Sequence, residues 1–272
     1  VTEKNDAAQK IADLLGVKKP KADKVYSTPV YRFDVDGEEW VTIGLRGHIL
    51  EPDFTPQIVY KKRGGWRGVT DEGETVPAQL PDTLPKPPFK KKKPFTEDGV
   101  ELKSWKMDAL PYLVYAPIEK LPKEKEIIRS LKNLAKKADS IVIATDFDRE
   151  GELIGADALS CVRDVNATAP VSRARYSAFT KEEITHAFSN LVEMDDCLAS
   201  AGASRQDIDL IWGAVLTRYL TLVKFAGYGN VRSSGRVQTP TLALIVARER
   251  ERLAFKPEDY WVIKGAFDAD AA

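Results

Sequence analysis

The chain has 272 residues, 43% hydrophobic and 30% charged, with 41 basic side chains balanced by 41 acidic ones. That composition predicts a folded, soluble protein of one large domain or two ordinary ones, and the zero balance leaves nucleic-acid binding open, since a local basic groove can coexist with it. Cys161 and Cys197, with no CxxC spacing, exclude a disulfide framework and a four-cysteine zinc site and suit a reducing cytoplasm. No apolar stretch approaches the ~18 residues of a membrane helix, and no signal peptide is visible. The opening VTEK reads as a strand end and the closing WVIKGAFDADAA as an alternating strand cut short, so the chain is expected to be a fragment.

In chain order, Asn5 is placed to cap a helix through DAAQKIADLL, with Gly16 to stop it. EEWVTIGL alternates like a strand and ends at the turn-forming Gly47-His48. From about residue 52 to 110 prolines and glycines accumulate without periodicity, around the basic run KPPFKKKKPF. This predicts an insertion or extended loop with no core of its own. Its lysines Lys90–Lys93 read mainly as a solvated basic loop, with contact to DNA phosphates as the sharper alternative.

Glu124–Lys137 carries Ile127, Ile128, Leu131, Leu134 and Ala135 at helical spacing. SIVIAT is apolar on both faces, as in a parallel strand covered by helices, and Gly151–Val162 reads as the next helix. Further on, SRARYSAFT is strand-like and Thr180 to Glu183 forms a capping box for a helix through Leu191. Ser204 is expected to cap a long helix bearing Ile208, Ile211, Trp212, Val215, Leu216, Tyr219 and Leu220. The glycine-, serine- and arginine-rich GYGNVRSSGR leads to Thr239-Pro240, an N-cap and first-turn proline for TLALIVARERERL. The prediction is an α/β domain over 1–168, a parallel sheet flanked by helices, followed by a mainly α-helical part over 169–272 that is incomplete.

The chemistry concentrates in TDFDREGELI. Five of the seven residues from Asp146 to Glu152 are charged, four of them carboxylates: Asp146, Asp148, Glu150 and Glu152. Ligands of parallel α/β sheets bind beyond the carboxyl ends of the strands. Asp146 and Asp148, two apart on an extended segment, with Glu150 at the helix start, suit a hard cation such as Mg²⁺. Helix capping explains one or two such acids, and four crowded together repel unless a cation or arginine compensates.

TDFDREGELI resembles the signature of the Toprim domain of type IA DNA topoisomerases. VTEK supplies the glutamate expected at the end of the first strand, Glu3, beside Lys4. The resemblance implies Mg²⁺ held by Glu3, Asp146, Asp148 and Glu150, and catalytic roles for Glu3, Lys4, Asp148 and Arg149. GLRGHILEPDF is similar to the family's segment whose histidine, here His48, lies near DNA, and ASAGASRQDIDLIWG to the helix whose arginine, here Arg205, contacts single-stranded DNA. Gln206 stands where some relatives carry a second arginine. SSGRVQTPTLALIVARERE resembles the segment opening the helix along the single-strand groove, so Ser234, Gly235, Arg236 and Gln238 are expected at DNA. The residues agree: Gly235 permits close backbone approach, Arg236 suits phosphate, and Gln238 can hydrogen-bond. The wording of GHILEPDF and RARYSAFT is most similar to the archaeal branch.

The implied activity is relaxation of negatively supercoiled DNA through a transient 5′-phosphotyrosine, by a monomer acting on single-stranded and supercoiled DNA in the cytoplasm, at the nucleoid. None of the nine tyrosines sits in the family's nucleophile context, so this chain is expected to lack the nucleophile. A Toprim-type nuclease or primase, and a non-catalytic single-strand-binding fragment, remain the alternatives.

Overall fold

A computed structural model describes residues 1–224 and 230–266. Helix α1 (Asn5–Leu15) buries Ala7, Ala8, Ile11 and Ala12, a stripe at helical spacing. Lys4, not Asn5, holds the N-cap position, and no side chain caps it; Asn5 Nδ2 instead donates to the Tyr31 hydroxyl at 3.1 Å. The antiparallel meander β1 (Lys21–Val25), β2 (Thr28–Val35) and β3 (Glu38–Ile43) follows.

The expected loop is folded instead. After β4 (Leu50–Phe54), strands β5 (Gln57–Lys61), β6 (Gly65–Val69), β7 (Thr75–Pro77) and β8 (Gly99–Glu101) form an antiparallel sheet in the order β7-β6-β5-β8. With the short helix α2 (Leu110–Leu113), this sheet encloses an apolar cluster of its own, including Ile58, Trp66, Val100, Leu102 and Leu113. Short strands of three to five residues, broken by turns, carry too little alternation to stand out in the sequence. Trp66 and Tyr112, whose rings meet edge to face with centroids 5.8 Å apart, anchor a core whose aliphatic residues are scattered along the chain without periodicity.

The chain returns through β9 (Ile118–Pro122), antiparallel to β4, into α3 (Lys125–Ala135), β10 (Ile141–Ile143), α4 (Arg149–Arg163) and β11 (Val171–Arg173). Here lies the parallel core. Thr2 N–H donates to Ile43 O (3.0 Å) and Leu45 N–H to Thr2 O (2.9 Å) on one side. On the other, Val1 N donates to Val142 O and Ala144 N–H to Val1 O, both at 2.7 Å. β10 pairs in parallel with β11, Ile143 opposite Arg173. The N-terminal segment therefore lies between the end of β3 and β10, which brings Glu3 and Asp146 to the same edge of the sheet. Ile143, Ile154, Ala158 and Val162 pack α4 onto β10. Each fully buried aliphatic side chain there contributes ~1.5–3 kcal/mol.

α5 (Lys181–Ser189) starts at Thr180, whose hydroxyl accepts from Glu183 N–H; the Glu183 carboxylate turns to Ser177 N–H rather than closing the box. α6 runs unbroken over Asp196–Val223 and is capped by Asp195, so Ser204 is a mid-helix residue and not a cap. The side of α6 bearing Leu210, Ile211, Ala214 and Val215 rests on the β5–β8 subdomain, while Ile208, Trp212 and Tyr219 remain about half exposed. α7 (Gln238–Ala254) starts one residue before Thr239 and buries none of its residues. The stretch from 255 to 266 forms no strand, and the first residues of GYGNVRSSGR lie outside the described ones.

The buried ion pair Arg173–Glu152 (2.8 Å, both side chains fully inaccessible) spans β11 and α4. Removing one partner strands the other charge, a cost of about 3–5 kcal/mol. Glu152→Ala is accordingly expected to lower the unfolding free energy by that amount in urea titration, and a loss below about 1 kcal/mol would contradict the pairing.

Candidate metal and nucleic-acid site

The four carboxylates after β10 separate into different roles. Glu152 turns inward to Arg173, and its second oxygen accepts from Asp195 N–H at 2.8 Å. Asp148 caps α4, accepting from Gly151 N–H at 2.7 Å, worth about 1 kcal/mol. Glu150 accepts from Arg205 Nη1 at 2.5 Å and faces His48 Nε2 at 3.3 Å. The Asp146 carboxylate has no hydrogen-bond or ion-pair partner among the described residues, although its backbone carbonyl accepts from Arg173 Nη2 at 2.9 Å. The turn is tight because residue 151 is glycine: any Cβ there would collide with the Asp146 backbone. Thr145 Oγ1, donating to Gly151 O at 2.7 Å, closes the turn from inside.

Glu3, mostly buried, pairs with the exposed ammonium of Lys4 at 3.2 Å. Glu3, and after it Asp146 and Asp148, hold Lys4 above the usual lysine range, so the charges of all three acids reach one ammonium. Among the described residues no three His, Cys, Asp or Glu side chains stand close enough to form a ready-made ion site. The donors nevertheless fit a hard cation: an unpartnered Asp146, one oxygen of Asp148 outside the helix cap, and Glu3 held only by an exposed lysine. Glu150, paired with Arg205 and facing His48, is the least available of the four expected ligands. Arg149, exposed at the first turn of α4, has no acidic partner among the described residues.

Of the expected DNA contacts, Arg205 lies on α6 and Arg236 on the loop that precedes α7. Gly202 lets α6 approach α4, since a Cβ there would sit 2.6 Å from Arg149 O. That approach delivers Arg205 to Glu150, and one turn later Asp209 lies 4.0 Å from Arg205 Nε. Arg236 Nε and Nη2 both donate to Asp209, the latter at 2.9 Å. A row Glu150–Arg205–Asp209–Arg236 results, with alternating charge. Arg236 uses only part of its donor set on Asp209, so its remaining N–H groups are available to phosphate.

Ser234 and Gln238 instead brace the loop itself. Ser234 is buried, with its N–H donating to Thr217 Oγ1 (3.0 Å) and its hydroxyl 3.1 Å from Thr239 Oγ1. Gln238, with its amide carbonyl turned inward, accepts from Ser233 Oγ (2.8 Å), Ser234 N–H (3.2 Å) and Gly235 N–H (3.3 Å). Thr239, expected as the α7 cap, accepts from Gly235 N–H at 3.2 Å.

His48 sits among partners that sequence reading did not single out. Asp157, buried and ion-paired to Lys120, places Oδ2 3.9 Å from His48 Nδ1, and Gln206 Nε2 lies 3.2 Å from His48 Nε2. Asp157 raises the imidazole above its ordinary range, burial pulls against it, and Glu150 adds to the rise. Asp157 lies seven residues after Glu150 on α4, two turns along one face. That spacing is the signal that could have found it.

A parallel sheet ending in this acidic turn, with the acidic helix packed on a long helix bearing arginines, defines an α/β protein of the Toprim kind. The Toprim domain model matches residues 1–179 and the DNA topoisomerase model residues 193–272. DNA topoisomerase 1 of Archaeoglobus fulgidus is 40% identical over 272 residues, covering 98% of this chain and 33% of the relative. That of Thermoplasma acidophilum is 36% identical over 270 residues, 99% of this chain and 29% of the relative. Full-length topoisomerase I from Thermotoga maritima shares the fold, with TM-score 0.51 at 23% identity over 94% of this chain and 31% of its own. The chain belongs to the Toprim-bearing DNA topoisomerases, the type IA family. It spans about a third of the length of the curated relatives it matches.

Because the folded pKa of His48 is raised, its stabilising contribution is complete below the ordinary imidazole value of about 6.5 and is lost as pH climbs through the folded value. Asp157→Asn should move the His48 midpoint down in an NMR titration in metal-free buffer, compared with the parent protein. An unmoved midpoint would show that Asp157 does not set the charge of His48.

Proposed function

We propose that this chain supplies the metal-holding and strand-gripping part of a magnesium-dependent type IA topoisomerase, which relaxes negatively supercoiled DNA by transient cleavage, passage and religation of one strand. The observation that carries this reading is the unpartnered Asp146 at the sheet edge beside the row Glu150–Arg205–Asp209–Arg236. Asp146, Asp148 and Glu3 would hold Mg²⁺, with Glu150 adjoining. The ion supplies charge neutralisation and orientation of a phosphodiester when bound.

The chain's own groups account for the rest. Arg236 and Arg205 grip phosphates of a single strand, with Asp209 keeping both guanidinium planes in place. His48, whose imidazole pKa is raised chiefly by Asp157 and further by Glu150, stands at the same edge. Glu3, held against Lys4, is a carboxylate able to give or take the proton exchanged when a phosphodiester bond is cut and rejoined. Lys4 holds that carboxylate in place through the ion pair at 3.2 Å.

The nucleophile of the 5′-phosphotyrosine is none of the nine tyrosines here. Tyr176 donates its hydroxyl to Ala144 O at 2.7 Å, and burial, with Asp146 after it, pushes its pKa far up. A proton held that firmly makes a poor nucleophile. The same reading makes the partners single-stranded and negatively supercoiled DNA, and the working form a cytoplasmic monomer at the nucleoid. Its support is two free cysteines and, among the described residues, no helix long and apolar enough to cross a membrane.

Magnesium at ten times its Kd is expected to stabilise the protein by about 1.4 kcal/mol, read as a rise in Tm. Asp146→Ala combined with Asp148→Ala should abolish that rise, and a parent protein indifferent to Mg²⁺ would refute the metal assignment. Arg236→Ala should weaken binding of a short single-stranded oligonucleotide about tenfold and reduce its salt slope by about 0.7. Unchanged affinity in fluorescence anisotropy would remove Arg236 from the strand grip.

A further inference from the structure

A second positively charged track leaves the candidate site along α3. Lys125, Arg129, Lys132 and Lys136 follow one another at intervals of four, three and four residues, so they line one face of α3 and its C-cap over about 16 Å. Together with Tyr26 and Ile128 they line an open groove of about 480 Å³. Arg129 lies over the Tyr26 ring with its guanidinium carbon 4.0 Å from the centroid. Only Lys132 has a carboxylate partner, Asp164 at 2.7 Å; Lys125, Arg129 and Lys136 have none among the described residues.

Folding alone does not account for this pattern. Like charges one turn apart destabilise a helix by roughly 0.2–0.5 kcal/mol per pair, and Lys125 in the first turn opposes the helix dipole. With 41 acidic side chains in the chain, compensating acids were available, yet among the described residues only Asp164, paired with Lys132, answers this face. The start of α3 is also tied to the segment that carries His48. Lys123 N–H and Glu124 N–H, at the start of α3, both donate to Ile49 O, at 2.9 and 3.2 Å, one residue from His48. Lys120, just upstream, pairs with Asp157 beside His48.

We propose that the α3 face is a second DNA-contacting surface, which holds the phosphate backbone of the duplex flanking the strand bound at the candidate site. Lys125, Arg129 and Lys136 neutralise phosphates and release their counterions, and the Tyr26 ring keeps the Arg129 guanidinium flat and facing outward. The surface is indifferent to base sequence, because it reaches only the backbone.

The test uses the 272-residue chain with the triple substitution Lys125→Gln, Arg129→Gln and Lys136→Gln, all at exposed positions. Circular dichroism and Tm verify that the variant is folded. Binding is measured against salt for two probes: a short single-stranded oligonucleotide, and the same strand carrying a duplex flank. The salt slope on the flanked probe should fall by about 2–3, near 0.9 for each phosphate no longer neutralised, while the short strand binds as before. Equal slopes for parent and variant on the flanked probe would overturn the proposal, as would a parent that gains nothing from the flank. Weakened binding of poly-glutamate with unchanged binding of flanked DNA would also overturn it and assign the face to an acidic protein. The surface rests on the single-strand reading of Arg236. Loss of short-strand binding in Arg236→Ala with an unchanged α3 result would separate failure of this surface from failure of that reading.

Discussion

Arg173 and Glu152 are the joint on which the site depends. Besides meeting Glu152, the buried guanidinium donates to Ala174 O (2.6 Å), Ile143 O (3.4 Å) and Asp146 O (2.9 Å). It thus ties β11 to β10 and holds the backbone of the acidic turn. The other oxygen of Glu152 takes the N–H of Asp195, the residue that caps α6. One ion pair therefore sets the sheet edge, the start of α4 and the start of α6. A charge pair so deeply buried is costly to desolvate and is retained only where its remaining hydrogen bonds are satisfied, as they are here.

From that joint the rest follows by proximity. The small residues Gly151 and Gly202 allow the acidic turn and α6 to close on α4, and Arg205 then reaches Glu150. Asp209, one turn further, reaches Arg236 on the loop before α7. The loop is in turn seated on α6 through Ser234 and Thr217. Acids and arginines alternate along this row, so its guanidinium groups stand side by side without net repulsion. A bound strand would exchange carboxylate for phosphate at the outer donors. The β5–β8 subdomain serves the same end from below, because its core is the surface on which the middle of α6 lies. Arg218, over the Trp105 ring at 5.5 Å and donating to Leu102 O, pins the two together.

Much of this was legible in the residues. The helical stripes of α1 and α3, the two-faced apolar run of β10 and the crowded acids after it all follow from local periodicity and charge. So did the requirement that an arginine or a cation compensate those acids: Arg173 and Arg205 answer for Glu152 and Glu150. The β5–β8 sheet was not legible, because its strands are short and its core residues, such as Ile58, Trp66, Val100 and Leu113, are scattered without periodicity among prolines. Ser204 was misplaced as a cap because Asp195, nine residues earlier, starts the helix that runs through it. Capping chemistry marks possible helix starts and cannot choose between two in one continuous helix.

The residues alone pointed to the family, because the carboxylates after a buried strand and the GRVQ segment resemble its motifs, and the Toprim and DNA topoisomerase models match the same stretches. Which carboxylate does what was decided only by tertiary structure. Asp146, Asp148, Glu150 and Glu152 are chemically alike in the chain. They become a free donor, a helix cap, a partner of Arg205 and His48, and a buried counter-ion because groups from β11 and α6, distant in sequence, reach some of them and leave Asp146 open. Burial and partner geometry are properties of the packed state, and no local pattern encodes them.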